Sequence, residues 1–383
     1  AIMNNLNKEK ISDRQALLGF NYFSKIGPKS MLLLEKYFSS PAQAYLANLF
    51  NLDKAGIKYQ IALDFINWRK TFSPQATEEK LTKEGVFFIT WHDDNYPRLL
   101  KEIAAPPFLL YYRGSLEVLN DESKNRLAIV GSRKNSAYAE KIITTFLPDL
   151  IEQKVEIVSG LALGIDALAH RATLNNKGIT IAVLGTGVNA NNIYPRANRC
   201  LAEEIIKQGG ILISEFPPNT PPLPQNFPQR NRLISGLAQA TLIIEAQEKS
   251  GSLITANFAL NQNREVLAIP GNIFSEFSQG TNNLIKCGAK TITKVEDILE
   301  IFQLEKSEPR KKKKIKTKKI ILDDPLEKII YQLLKQANER AEKINIDELV
   351  KLSKLDTSVI NSKLSILELR GIIKSDGINY DLA

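Results

Sequence analysis

The sequence of 383 residues has little of what several classes of protein need. Its two cysteines, Cys200 and Cys287, stand far apart and match no metal-ligand spacing, so neither a disulfide framework nor a metal site is indicated. Two histidines leave little room for histidine-based catalysis. No run approaches the roughly 20 apolar residues of a membrane helix, and the initial AIMNNLNKEK has no apolar signal-peptide core. We therefore expect a cytoplasmic protein that holds no metal and does not enter a membrane.

Positive charge is present in excess, but most of it lies in one segment. The formal net charge is +9, and the decamer RKKKKIKTKK at residues 310–319 carries eight basic residues and no acidic one. The rest of the chain is therefore close to neutral, at +1. An anionic partner is indicated, and the position of the remaining cations matters more than their sum.

Composition and pattern divide the chain into domains. Hydrophobic residues make up 43% and charged residues 24%, as in proteins with a buried core. Apolar residues at helical spacing around a turn at Lys25 to Lys29 predict a small helical domain of the helix-hairpin-helix or SAM-like type, with or without a DNA contact. The predicted domains are the helical domain, 1–72; a DNA-binding domain, 73–303, with its core at 126–303; a basic linker, 304–322; and a winged helix, 323–383.

The central domain alternates short apolar strands with helices. Continuous Val, Ile and Leu runs are typical of parallel strands that are buried on both faces. The pattern predicts an α/β fold, an extended Rossmann-type doubly wound parallel sheet. Its predicted strands are Leu127–Val130, Glu156–Ser159, Thr180–Leu184, Ile211–Glu215, Thr241–Glu245, Val266–Ile269 and Lys290–Ile292.

The loops after these strands predict an anion site. Ligands of such sheets bind at the carboxyl ends of the strands, where these loops meet. Three of the loops are rich in Gly and Ser next to a helix, so their backbone amides can approach an anion. The loop after the first strand carries Gly131 and Ser132, and the loop after the second carries Ser159 and Gly160. The loop after the fifth strand carries Gly251 and Ser252, before a predicted helix at Leu253–Leu260. Seven cations lie on or beside the same edge: Arg133, Lys134, Arg196, Arg199, Arg230, Arg232 and Lys249.

The type of anion follows from what the loops lack. Gly185 begins a G-x-G-x-x-A pattern, but it follows the third strand and leads into a loop, so a nicotinamide cofactor is not indicated. Asp166 and Glu248 are the nearest acid-base candidates, and helix capping and solvent exposure explain them better than catalysis does. A basic edge without catalytic groups fits a polyanion held by its backbone, and Tyr194 and Phe227 could stack on bases or belong to the core. Residues 216–232 are expected to form a Pro-rich loop.

Several motifs in order resemble one known family, DNA-processing protein A (DprA, also called Smf). The resemblance covers roughly residues 10–383 and is strongest over 126–290. It is carried by GSR at 131–133, SGLALGID at 159–166, GTG at 185–187, YPRAN at 194–198, SEFP at 214–217, FPQRNRLISG at 227–236, KSGSLITA at 249–256, IPG at 269–271 and QGTNNLIKCGA at 279–289.

This resemblance implies a protein without catalytic activity or cofactor that binds single-stranded DNA, protects incoming strands and helps to load the recombinase RecA during natural transformation. It implies DNA contacts at Gly131, Ser132 and Arg133, and further contacts at Arg196, Phe227, Arg230 and Arg232. It also implies a homodimer formed through residues 275–290. The alternative is a nucleotide-binding or nucleotide-hydrolysing enzyme of Rossmann type, and a third possibility is a duplex binder that acts through the winged helix.

The winged helix itself carries little positive charge. Residues 323–383 have nine basic and eleven acidic residues, and the expected recognition helix offers only Lys363 and Arg370. Because phosphate neutralisation supplies most non-specific affinity, this domain alone is not expected to bind duplex tightly. The hypothesis is that the basic decamer captures DNA electrostatically, while the winged helix contacts protein or assists weakly.

Overall fold

A computed structural model describes residues 11–120, 123–305, 322, 324–339, 344–375, 377 and 379–382. The described residues within 1–134 and 146–303 form one compact unit, and those within 135–145 and 304–383 form another. The basic decamer lies outside the described residues. Within the described ranges, no helix is long and apolar enough to cross a membrane.

The first unit begins with six helices, which bury an aromatic centre. Ser12 caps the first of them through a reciprocal pair of hydrogen bonds with Gln15, and Pro28 starts the second, where a missing N–H costs nothing. The rings of Phe20 and Phe65 stack with centroids 4.9 Å apart. The helices are α1 Asp13–Tyr22, α2 Pro28–Tyr37, α3 Pro41–Leu46, α4 Leu49–Lys54, α5 Tyr59–Trp68 and α6 Pro74–Lys83.

A nine-stranded sheet forms the centre of this unit. Each predicted strand lies within two residues of an observed one, because short Val/Ile/Leu runs between polar turns mark buried strands well. The strands are β1 Phe87–Thr90, β2 Leu109–Gly114, β3 Arg126–Val130, β4 Glu156–Ser159, β5 Thr180–Val183, β6 Ile211–Ser214, β7 Ala240–Ile243, β8 Glu265–Ala268 and β9 Lys290–Thr291.

The order of the strands places a crevice at one point of the sheet. The order is β1-β2-β6-β5-β4-β3-β7-β8-β9, so the chain moves outward from β3 in one direction as far as β6 and then returns to the other side of β3 with β7. The sheet is mixed, whereas the prediction was a parallel sheet. β3 to β9 are parallel, but β2 pairs antiparallel with both β1 and β6. Where the order reverses, between β3 and β7, the adjoining loops diverge and leave room for a ligand.

Nine helices, all within described ranges, accompany these strands. The helices are α7 Arg98–Lys101, α8 Glu117–Asn120, α9 Ala137–Glu152, α10 Ile165–Asn175, α11 Arg199–Lys207, α12 Asn226–Gly236, α13 Gly251–Asn261, α14 Gln279–Lys286 and α15 Glu296–Leu299.

The C-terminal part of the second unit combines three helices with a small antiparallel sheet. Ile330, Leu349, Ile360 and Leu367 are among the buried side chains of its core. The order of the small sheet is β10-β12-β11. The elements are α16 Pro325–Glu339, β10 Ile344–Asn345, α17 Ile346–Ser353, α18 Thr357–Leu369, β11 Ile373–Ser375 and β12 Asn379–Leu382.

Candidate functional site

A cavity of about 630 Å³ lies where the strand order reverses, and we call it the switch-point cavity. It is bordered by the loop after β3, the start of α13 and the first turns of α12. Its lining consists of Val130, Gly131, Ser132, Arg133, Lys134, Ala162, Asp166, Tyr194, Pro222, Pro224, Phe227, Pro228, Arg230, Asn231, Ile234, Gln247, Ser250, Gly251, Ser252, Ile254, Thr255 and Phe277.

The loop after β3 is held tightly by its backbone. Ser132 N–H donates to the carbonyl of Glu245 (2.8 Å). A Cβ at Gly131 would lie 2.6 Å from Ile165 Cγ1 and 3.0 Å from the Glu245 carbonyl oxygen, so only glycine fits there. The loop therefore has a fixed backbone, from which the exposed side chains of Arg133 and Lys134 border the cavity.

The start of α13 provides the opposite border. Ser250 caps the helix, and its Oγ accepts a hydrogen bond from Ser252 N–H (3.3 Å). Gly251 is the first helical residue, and a Cβ added to it would meet nothing within 4 Å. The helix thus presents backbone N–H groups and the positive end of its dipole to the cavity.

Residues 226–232 form the first turns of α12, whereas the sequence predicted a loop. Pro228 lies in the first turn of the helix, where proline is tolerated. Consecutive helical residues point about 100° apart, so neighbouring side chains of this segment have different surroundings. Arg230 lines the cavity, and Arg232 does not.

Arg230 is the buried cation of the cavity, with only 4% of its surface exposed. Its Nη1 donates to the carbonyls of Gly160 (2.7 Å) and Val183, and its Nε donates to Asn231 Oδ1 (3.2 Å). Burial lowers the pKa of Arg230 to about 10, while the Asp166 carboxylate acts in the opposite direction. Arg230 therefore remains protonated at neutral pH, and it joins the loop after β4 to the last residue of β5.

Two aromatic rings lie side by side in the lining of the cavity. The ring centroids of Tyr194 and Phe227 are 5.6 Å apart, at an interplanar angle of 55°. The side chain of Tyr194 is 46% exposed and that of Phe227 is half-buried. A Cβ at Gly185 would lie 2.8 Å from the Phe227 ring, so a side chain there would displace it.

Comparison with known proteins identifies the family. The sequence profile of the family described as DNA recombination-mediator protein A matches residues 87–303. The chain belongs to this family. Its matched part includes the whole switch-point cavity.

Relatives and solved structures agree with the family assignment. Smf of Escherichia coli K12 is 47% identical over 208 residues, which cover 54% of this chain and 54% of Smf, so the match spans about half of that relative. DNA processing protein DprA of Bacillus subtilis is 42% identical over 57% of this chain and 72% of the relative. The X-ray structure of DprA from Streptococcus pneumoniae matches with a TM-score of 0.65 and 35% identity, covering 76% of this chain and 98% of that one.

A second solved structure of a similar protein concerns the binding of single-stranded DNA. It describes the single-stranded DNA binding mode of DNA processing protein A from Helicobacter pylori. It matches with a TM-score of 0.50 and 28% identity, covering 56% of this chain and 95% of that one.

In this DprA family member, Arg232 does not belong to the binding edge on which it was predicted. Its Nη2 donates to the Glu215 carboxylate, and the side chains are only 10% and 6% exposed. Burial raises the pKa of Glu215, and the neighbouring Arg232 opposes that rise. The arginine was expected on the binding edge because its sequence neighbours are there, but it balances a buried charge.

The remaining predicted residues divide into supporting and peripheral positions. Ser159 and Gly160 are buried and do not line the cavity, and Ser159 Oγ donates to the Ile129 carbonyl (2.7 Å). Arg196 and Lys249 are exposed outside the lining, and Arg199 donates to the Asn191 carbonyl. Among the residues that were expected to contact DNA, the lining contains Gly131, Ser132, Arg133, Phe227, Arg230, Gly251 and Ser252.

Sequence reasoning missed several lining residues. Asn231 lay within a quoted motif without a role, and Gln247 lies in the loop between β7 and α13. Pro222 and Pro224 form part of the wall, and the Pro-rich composition of residues 217–224 was the available signal. Ile254 and Thr255 also lay within a quoted motif, KSGSLITA, without a role, and Phe277 carried no signal.

Asp166 holds the loop after β4. Its Oδ2 accepts hydrogen bonds from the N–H groups of Gly160 (3.1 Å) and Ala162 (3.4 Å). Burial raises its pKa, and the positive charge of Arg230 opposes that rise. Glu248, the other acid-base candidate, is exposed outside the lining. Among the residues that the structure describes, no three His, Cys, Asp or Glu side chains come close enough to hold a metal ion.

His170 should make folding of the chain sensitive to acid. It is fully buried, its Nδ1 lies 2.7 Å from Thr180 Oγ1, and burial lowers its pKa to about 3 from an ordinary value of 6.5. Between these values the unfolded chain binds a proton that the folded chain does not. His170 should therefore remove up to about 1.4 kcal/mol of stability for each unit that the pH falls from about 6.5 toward 3.

Urea unfolding at pH 7, 6, 5 and 4 measures this effect, with His170→Gln as the variant without a titrating group. The free energy of unfolding of wild type should fall more steeply with acid than that of the variant. Equal slopes for the two proteins would contradict the assignment.

In the C-terminal unit, both cations of the expected recognition helix have partners within the unit. Lys363 Nζ donates to Asp324 Oδ2, and Arg370 Nη1 donates to Glu327 Oε2 (2.8 Å). The Asp324 carboxylate raises the pKa of Lys363. Two exposed apolar side chains, Ile366 (37%) and Leu369 (88%), lie at or near the end of the same helix.

Proposed function

We propose that this chain binds single-stranded DNA at the switch-point cavity and does not cleave it. The observation that carries the proposal is the arrangement of positive groups around one cavity. Arg133 and Lys134 come from the loop after β3, Arg230 comes from α12, and Gly251 and Ser252 at the start of α13 line the same cavity. Three separate segments therefore direct positive charge to one place where the topology leaves a crevice.

The charge distribution favours an extended anion. Residues 126–303 carry 17 basic and 15 acidic side chains, so the domain is almost neutral and its positive potential is local. Exposed cations at the border can neutralise successive phosphates of a strand, and the release of counterions makes such binding steeply dependent on salt.

The aromatic pair favours single strands over duplex. Tyr194 and Phe227 line the cavity and can stack on unpaired bases, whereas bases in a duplex are already stacked on one another. The Helicobacter pylori relative, whose structure concerns its single-stranded DNA binding mode, supports the same assignment.

The acidic residues support binding without catalysis. Asp166 is occupied by the backbone N–H groups of Gly160 and Ala162, so its carboxylate positions a loop. A general acid or base needs a carboxyl group within reach of the ligand, and Glu248 is outside the lining.

The proposal extends to domains and partners. The proposed domains are a SAM-like or helix-hairpin-helix domain (1–72), a Rossmann-type DNA-binding domain (73–303, with its core at 126–303), a basic linker (304–322) and a winged helix (323–383). We propose a cytoplasmic homodimer that meets its partner copy through residues 275–290 and delivers DNA to RecA in natural transformation. The exposed side chains of Ile273 (76%) and Phe274 (87%), next to that segment, support an apolar contact. We propose that the decamer captures DNA, and the ion pairs of Lys363 and Arg370 support a role for the winged helix in protein contact.

Fluorescence anisotropy with a labelled 20-nucleotide oligo-dT tests the proposed function. Unlabelled single strand should displace the probe at much lower concentration than duplex of equal length, and the logarithm of the binding constant should fall steeply with the logarithm of salt. Equal competition by duplex would favour binding through the winged helix. Strong competition by a nucleoside monophosphate, with its hydrolysis, would favour the alternative of a nucleotide-processing enzyme.

A further inference from the structure

The six helices that begin the first unit contain two helical hairpins built on one pattern. The first hairpin joins α1 to α2 through residues 23–27, and the second joins α4 to α5 through residues 55–58. α2 and α5 each have ten residues, and both hairpins bury the residue before the N-cap of this helix and the fourth and seventh residues after it. The buried residues are Ile26, Met31 and Leu34 in the first hairpin and Ile57, Ala62 and Phe65 in the second.

Each hairpin turn contacts the other hairpin at the equivalent place. Lys25 lies two residues before the N-cap of α2, and its Nζ donates to Asp64 Oδ2 (2.6 Å), six residues after the N-cap of α5. Gly56 lies two residues before the N-cap of α5, and a Cβ there would lie 3.4 Å from Leu33 Cδ1, six residues after the N-cap of α2. Contacts that are exchanged in this way indicate an approximate two-fold axis between the two hairpins.

This axis fixes the distance between the two turns. An α-helix rises about 1.5 Å per residue, so Asp64 lies about 9 Å along α5 from the N-cap residue Lys58. Lys25 of the first turn reaches α5 at that point, and Gly56 of the second turn reaches α2 at the equivalent point. The two turns therefore lie side by side, on the order of 10 Å apart.

Both turns carry exposed lysines. Residues 11–72 hold eight basic and four acidic side chains, a net charge of +4, whereas residues 73–125 hold six basic and nine acidic ones, a net charge of −3. Lys54 Nζ lies 4.5 Å from the centroid of the Phe50 ring. Lys29 and Lys58 have no ion pair within the described ranges, so their charges are available to a partner. Each turn is bracketed by two exposed lysines four residues apart, at 25 and 29 and at 54 and 58.

We propose that residues 25–29 and 54–58 form a paired-turn surface that holds the two backbones of duplex DNA. The strands of a duplex are antiparallel and related by two-fold axes, so two equivalent basic turns can each take one strand, as protein dimers do on symmetric sites. The minor groove is about 6 Å wide between the surfaces of its backbones, so phosphates that face each other across it match turns on the order of 10 Å apart. No residue of the paired-turn surface lines the switch-point cavity, so this inference goes beyond the proposed function and does not depend on it.

Removing one exposed lysine from each turn tests the paired-turn surface. Lys29→Ala with Lys58→Ala is the turn variant. Lys36→Ala with Lys70→Ala is the matched control, because it removes two exposed cations from the far ends of the same helices. Anisotropy of the full chain with a labelled 20-base-pair duplex should show an affinity about tenfold or more lower in the turn variant at about 0.1 M salt. The slope of log affinity against log salt should decrease by about 2, since each lysine neutralises one phosphate, and the control should stay within about twofold of wild type.

The paired-turn surface and the switch-point cavity should respond separately. Both double variants should bind oligo-dT within about twofold of wild type and keep its melting temperature, because the four lysines are exposed and lie outside the cavity. The basic decamer is present in all three proteins, so its contribution to duplex affinity cancels.

Four results would overturn the paired-turn surface. Wild type might fail to bind the duplex, or the turn variant might keep the affinity and salt slope of wild type. The control might lose as much duplex affinity as the turn variant, which would leave only general surface charge. A parallel loss of oligo-dT binding by the turn variant would place its lysines on the path of the single strand.

Discussion

Arg133→Ala should weaken binding of single-stranded DNA about ten- to a hundredfold, the cost of losing one charge-assisted contact to a phosphate. The side chain is exposed at the border of the cavity, on a loop fixed by Gly131 and by the bond from Ser132 to Glu245. Removing it should leave folding unchanged and lower affinity equally for all base sequences, because phosphates carry no sequence information. The slope of log affinity against log salt should decrease by about 1.

Anisotropy over a salt series measures both quantities. Arg171→Ala is the matched control, because it removes the same charge from an exposed position on α10 outside the cavity. We expect its affinity to stay within about twofold of wild type. If Arg133→Ala and Arg171→Ala lost affinity equally, general surface charge would explain binding, and the switch-point cavity would not.

Arg232→Met, unlike Arg133→Ala, should affect stability and not DNA affinity. It should destabilise the fold by about 3–5 kcal/mol, because it leaves the buried Glu215 carboxylate without its cation. Both residues are buried. Once folded, the variant should bind oligo-dT as wild type does, since Arg232 does not line the cavity. Chemical denaturation measures the first effect, and anisotropy below the unfolding transition measures the second.

A double variant identifies the cause of this loss. Arg232→Met with Glu215→Gln removes both charges and should recover most of the lost stability, whereas Glu215→Gln alone leaves an unpaired buried arginine and should also destabilise. A double variant as unstable as Arg232→Met would show that packing, and not the unpaired charge, causes the loss. A strong loss of DNA binding by folded Arg232→Met would return this arginine to the interface.

The contrast between Arg230 and Arg232 shows where sequence reasoning stops. Strand positions were predictable because each strand is a local run of apolar residues, and the reversal of strand order brought together the loops that were expected to meet. Which arginine of α12 faces the cavity was not predictable, because Glu215 and the carbonyls of Gly160 and Val183 come from distant parts of the chain. The antiparallel pairing of β2 with β6 was missed for the same reason.

The hairpin of β1 and β2 has a consequence for how copies of this chain can associate. It covers β6 and leaves β1 and β9 as the outermost strands of the sheet, with four and two residues. At the β9 side the exposed Lys290 is engaged with Glu300 (3.0 Å). Short edge strands that carry a lysine are poor templates for backbone hydrogen bonding with another molecule. Self-association of this chain is therefore expected to use side-chain surfaces rather than backbone pairing between the edge strands of two sheets.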